Sequence, residues 1–247
     1  MKILKRIVTA ALVTVTLLAM LGCTRNEPAQ KVDIVSHEIE STRNIEGLEL
    51  TPANKELIRE VFTEIESMEQ RVDELGLDLW LVKSPEVNIM LKDFIFRKKN
   101  KELILKLNDS DQAVLDTEIV QDMIKEQLTV NYAKSSGIVV TSEELANLVS
   151  QQRAFLYDDN LEAESRELVQ EIMQHRIALT GLTDELFWQS DEVMKGYSNS
   201  LYISKLMQEL LADESQKGMD RFKQLQEKLL KVFLEKYEVN MSVLKQI

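Results

Sequence analysis

Residues 111–155, DQAVLDTEIVQDMIKEQLTVNYAKSSGIVVTSEELANLVSQQRAF, decide the fold. They read as helix, tight stop, short extended link and capped second helix. Asp111 is expected to cap a run in which Val114, Leu115, Ile119, Met123, Ile124 and Leu128 fall on neighbouring faces at helical spacing. Gly137 supplies the left-handed residue that ends such a helix, and Ile138 stands where a C-terminal apolar contact belongs. Ile138, Val139 and Val140 are too few and too β-branched to extend a helix, so they form the link. Thr141 and Glu144 fit the capping box, hydroxyl to a free amide and carboxylate back to the cap amide. Leu145, Leu148, Val149 and Gln152 continue at spacings of three and four. Two helices meeting at a short buried elbow follow.

The rest of the chain agrees with a helical reading. Only 7 Gly and 3 Pro occur in 247 residues, too few for a strand-and-turn protein, while 44% hydrophobic content suffices for a core. Aromatics are 6% against 10 Met, which points to aliphatic, adaptable packing. The expected class is all-α, a bundle of long helices with a short C-terminal strand or extended arm where Val239, Met241 and Val243 alternate.

The N-terminus reads as an export signal. Lys2, Lys5 and Arg6 precede an uncharged, mostly apolar run from Ile7 to Leu21, of signal-peptide length and short for a spanning helix. The run ends at Met20-Leu21-Gly22-Cys23, which resembles a bacterial lipobox, although Met20 and Leu21 depart from its usual Leu and Ala or Ser. That resemblance implies cleavage after Gly22 and diacylation of Cys23, the only cysteine. A disulfide has no partner within the chain; a chance buried cysteine or an uncleaved signal anchor is the bland alternative. Two acyl chains give stable attachment where one is marginal. The chain divides into a signal peptide (1–22), a polar tether (23–50) and a helical domain (51–247). His37, in the tether, reads as a solvated residue.

Charge narrows the partners. The net charge is -12, and removal of the leader leaves 27 basic against 42 acidic residues, net -15. Nucleic acids and anionic bilayer surfaces are bound largely through basic groups, so neither is expected as a partner. The basic run Arg97–Lys101 reads as a solvated helix face.

Thr51-Pro52 starts a helix with Leu57, Ile58, Val61, Phe62, Ile65, Met68, Val72 and Leu75 in one stripe, closed by Gly76. The segment LDLWLV reads as an apolar connector, with the Trp80 indole N–H in need of a partner. Residues 87–107 suit a helix or a hairpin turning at Asn100. A further helix is expected from Leu161 to Leu179, where Glu167, Glu171 and His175 share one face; they read as a charged stripe, and no metal is expected. Gly181 closes that helix, and Thr183 caps the next. A long helix then runs to Ala212, a polar hinge spans Asp213–Lys217, and a last helix carries Met219 to Phe233.

Ile119–Arg153, with IKEQLTVNYAKSSGIVVTSEELANLVSQQR, resembles the N-terminal chaperone domain of SurA/PrsA-type extracytoplasmic foldases. In that family a helix ending A-x-x-x-G-I precedes V-(T/S)-x-E-E; Ala133, Gly137, Ile138, Val140, Thr141, Glu143 and Glu144 match. GLTDELFW, residues 181–188, resembles a later G-L-(T/S)-x-x-x-(F/Y) helix start, and weaker similarity runs from Ser84 to Val243. The resemblance implies a helix over 87–107 and a chaperone for unfolded or exported polypeptides. The family's catalytic parvulin domain has no room between Arg153 and Gly181, so no isomerase activity, catalytic residue or cofactor is expected. No nucleophile elbow, P-loop, dinucleotide fingerprint or H-E-x-x-H occurs. Met173, Phe187 and Trp188 are the candidate client contacts, with core packing the ordinary reading of the adjacent aromatics. An envelope adaptor for one folded partner is the alternative. The expected place is outside the cell membrane, held by the acylated N-terminus.

Overall fold

A computed structural model describes residues 48–76, 79–157, 166–211 and 215–246. The leader, Gly22, Cys23 and His37 lie outside the described residues. Leu48 and Leu50, read as the end of the tether, already pack on the folded body.

Helix α1, Pro52–Glu74, starts as its sequence requires: the Thr51 hydroxyl accepts from Asn54 N–H at 3.1 Å, and Pro52 takes a position whose amide has no helical partner. Its stripe buries Ile58, Val61, Phe62, Ile65 and Val72, and Gly76 closes it at φ +62. The connector is a correction. Trp80–Lys83 forms strand β1, paired antiparallel with β2, Asn88–Met90. The turn between them is built by Ser84, whose hydroxyl accepts from Glu86 N–H at 3.2 Å and Val87 N–H at 2.8 Å. The hairpin therefore turns at Ser84–Glu86. Asn100 instead lies inside α2, Leu91–Leu107, with its side-chain amide on the Phe96 carbonyl at 2.8 Å.

Helix α3 spans Asp116–Ser135, so Asp111 is not its cap. Residues 108–110 close α2 first: Asp109 takes φ +51, and Ser110 N–H returns to the Leu105 carbonyl at 2.9 Å. Asp116 and Glu118 then sit at the positive end of α3. Helix α4 is Ser142–Tyr157 and α5 is Arg166–Thr180; the expected start at Leu161 lies outside the described residues. Thr183 caps α6, Asp184–Trp188, as expected. The long helix does not continue from it. Ser190 restarts the chain as α7, Asp191–Leu211, accepting Val193 N–H on its hydroxyl and Met194 N–H on its carbonyl. Helix α8 is Ser215–Leu234. Where a short C-terminal strand or extended arm is expected, a 3-10 turn, Met241–Gln246, follows residues 237–240, which form no regular element.

The fold is all-α with one small two-stranded sheet among the described residues. Three apolar clusters hold it. One lies under the hairpin and joins Leu81, Ile89, Phe94, Ile124 and Phe233. A second joins α1, α2 and α4–α7 through Ile58, Phe62, Leu103, Leu168 and Trp188. The third wraps the elbow with Ala133, Ile138, Leu206, Met207 and Phe222. The C-terminal arm is attached to the first cluster more lightly. Its fully sheltered side chain is Val243, a burial that contributes about 1.5–3 kcal/mol. Asn240 N–H donates to the Leu81 carbonyl at 2.8 Å, adding about 1 kcal/mol.

Candidate functional site

The elbow forms as its residues dictate. Gly137 adopts φ +90, Ile138 N–H returns to the Ala133 carbonyl at 3.1 Å, and the Ile138 side chain enters the third cluster. Thr141 N–H donates to Glu144 Oε2 at 2.8 Å, and Glu144 N–H donates to Thr141 Oγ1 at 3.2 Å, completing the capping box. A long-range partner that the local pattern does not carry fastens it. Lys205 of α7 donates from Nζ to the Val139 carbonyl at 2.7 Å and to Glu144 Oε1 at 2.5 Å. The Lys205 ammonium, then the Thr141 amide, holds the Glu144 carboxyl below its usual pKa. Val139 points outward, 65% exposed.

A second constellation gathers on Asp184, at the first turn of α6. Its carboxylate accepts from the Arg153 guanidinium at 2.6 Å, the Tyr157 hydroxyl at 2.6 Å and the Trp188 indole N–H at 3.1 Å. Burial pushes the Asp184 pKa upward, but the three donors outweigh it and the carboxyl lies below its usual range. Burial and the adjacent carboxylate push the Tyr157 phenol up to about 12. Every donor here is committed to one acceptor, so the cluster is a latch between α4 and α6, with no proton poised for transfer near neutral pH.

Met173, Phe187 and Trp188 are all in the second cluster, at 7%, 3% and 3% exposure. Phe187 and Trp188 meet edge to face at 5.6 Å, and Trp188 stacks on Tyr197 at 6.3 Å. All three are core, which is the ordinary reading of Phe187 and Trp188, and their burial does not present them as client contacts. Glu171 accepts from Lys55 at 3.3 Å and lies 3.5 Å from His175, whose ring stacks on Phe62. They form a polar seam between α1 and α5. Among the described residues, no group of three or more His, Cys, Asp or Glu could hold a metal ion. The basic run is also corrected from a solvated face: Arg97 pairs with Glu126, Lys98 with Asp116 at 2.6 Å and Lys99 with Glu64 at 2.8 Å. These pairs tie α2 to α3 and α1.

The hairpin supplies what sequence periodicity missed. On the β2 side, the Gln127 carboxamide grips the backbone of Asn88, accepting its N–H at 3.0 Å and donating to its carbonyl at 2.9 Å. Asn131 donates to the Glu86 carbonyl at 2.8 Å. On the β1 side the pairing shifts register between Trp80 and Val82, so Leu81 is an extra, bulged residue whose carbonyl takes the arm. The Trp80 indole N–H is buried without an acceptor, and Lys83 lies over the ring at 4.9 Å. A run of four apolar residues gives too little alternation to distinguish such a strand from a connector.

No protein-family model, curated protein or solved structure matches the chain. No described helix is long and apolar enough to cross a membrane.

Proposed function

We propose that the chain is a membrane-anchored extracytoplasmic lipoprotein that acts as a non-catalytic chaperone, holding exported polypeptides before they fold. The observation that carries the reading is the elbow. The residues through which the sequence resembles the foldases, Ala133, Gly137, Ile138, Thr141 and Glu144, are those that stop one helix, turn the chain and cap the next. Such residues specify a scaffold and supply no chemistry, in keeping with a protein that works by shape and apolar surface. An acidic surface keeps the body off anionic lipid while two acyl chains on Cys23 hold it near the bilayer.

Two measurements test the two halves separately. Cys23→Ala is expected to move the protein from the membrane fraction to the soluble one; unchanged membrane association counts against acylation. The chain is expected to suppress aggregation of several unrelated unfolded proteins without accelerating prolyl isomerisation. Failure in that assay, together with recovery of one dominant folded partner, would replace the chaperone with an adaptor.

A further inference from the structure

We infer that the outer edge of β1 is a binding site for an apolar polypeptide segment, and that the C-terminal arm is its resident, exchangeable occupant. The inference rests on the chaperone reading for the source of that segment, the unfolded client. Its geometry stands apart from that reading.

The two edges of the small sheet are finished differently. The β2 edge is sealed by side chains rooted in α3, with Gln127 occupying both the donor and the acceptor of Asn88. The β1 edge is covered by chain. Asn240 N–H reaches the Leu81 carbonyl, which the bulge at Leu81 leaves outside the ladder, and the 3-10 turn Met241–Gln246 packs against the strand. An extended segment lying beside a strand is how sheets accept foreign peptides: the backbone bonds give affinity, and alternate side chains select. The resident shows which side chains fit. Val239, just before the 3-10 turn, and Met241 and Val243 within it all pack on the cluster beneath the hairpin.

The arm can leave without dismantling the fold. Helix α8 is anchored before it, by Phe222, Leu230 and Phe233, each at most 5% exposed. Within the arm, Tyr237, Val239, Met241 and Leu244 are only partly buried. Opening therefore exposes one fully buried side chain, Val243, and the inner faces of these four. Segments with few buried apolar contacts open at the low end of a protein's stability range.

The test uses the full chain, a variant ending after Lys236, and Asn240→Pro, which removes the donated N–H and leaves the apolar residues of the arm in place. The probe is a labelled peptide of residues 236–247, with a second copy carrying proline at its Asn240 position. The peptide is expected to bind both variants about five- to tenfold more tightly than the intact chain, because the competing occupant is weakened or absent. The proline peptide is expected to bind the shortened variant about fivefold more weakly than the unmodified peptide. Equal binding to all three proteins, or binding to none while helical circular dichroism is unchanged, overturns the inference. Should a variant unfold, hydrogen exchange on the intact chain decides: the Asn240 amide is expected to exchange far faster than that of Phe233, and equal protection means that the arm does not open. Aggregation suppression separates this site from the chaperone reading. Suppression that is the same with and without the arm places clients elsewhere and removes this site alone. Peptide exchange without suppression in any form keeps the site and removes the chaperone.

Discussion

Asp184 shows how much one side chain can organise. It is the first residue of a five-residue helix, yet it receives donors from Arg153 and Tyr157 on α4 and from Trp188 one turn later. Because its carboxyl pKa is depressed in the fold, its stabilisation is fully present above the unfolded value, near pH 4, and is lost as pH falls through the folded value. Asp184→Asn is expected to cost about 1 kcal/mol at pH 7, less than a buried charged hydrogen bond because the side chain is 37% exposed. The two proteins should converge when the acid end of a urea-unfolding series protonates the carboxylate. A gap that persists undiminished there would mean that shape, not charge, holds the latch. The sequence marks Asp184 only as a favourable residue at a helix start; its donors from α4 lie 27 and 31 positions away and leave no local pattern. Gly137, Thr141 and Glu144 were legible for the opposite reason, since each acts on backbone within five residues. Asp111 misled because a good cap residue still needs a free chain, and residues 108–110 were already committed to closing α2.

At the scale of elements, the helices announced themselves and the junctions did not. The stripe of α1 follows helical spacing over 23 residues, whereas β1 and β2 have four and three residues and share apolar content with the helix that follows. The break between α6 and α7 was hidden because Ser190 is an ordinary residue until its hydroxyl turns back to Val193. Helices α7 and α8 approach closely at Gly218. A Cβ on Gly218 would stand 2.7 Å from Leu211 Cα and 2.8 Å from the Leu210 carbonyl oxygen, both backbone atoms. Two effects oppose one another in Gly218→Ala. Helix propensity favours alanine by about 0.5–1 kcal/mol, while forcing two backbones apart costs about 1–3 kcal/mol. The steric cost wins, so a net loss of stability is expected in urea unfolding. A gain would show that α7 and α8 separate easily at Gly218.

Over the whole molecule, an excess of 12 acidic charges makes the placement of every cation consequential. The run Arg97–Lys101 looked like a solvated face because periodicity locates a residue on its own helix and is silent about the helix beside it. In the fold Arg97, Lys98 and Lys99 neutralise carboxylates of α1 and α3, so most of the densest basic segment is spent internally. Where α1, α2 and α7 converge, the supply falls short. Glu69 is half-buried, and Asp73, Glu192 and Asp93 surround it, with Lys92 as the opposing cation; Lys92 in turn reaches Asp73 at 2.6 Å. Burial first, then the neighbouring carboxylates, raises the Glu69 pKa against the pull of Lys92. For an acid raised in this way the sign is opposite to that of Asp184. The fold prefers the protonated form, so the penalty appears as pH climbs past the unfolded value and is complete above the folded one. Glu69→Gln keeps the shape and removes the charge. It is expected to raise the thermal midpoint at pH 7, by an amount that shrinks with added salt where the neighbouring carboxylates contribute and vanishes in acid, where wild-type Glu69 is itself neutral. A lower midpoint at pH 7 would mean that the attraction of Lys92 outweighs the desolvation of Glu69, and that the acidic junction is balanced by the cation already there.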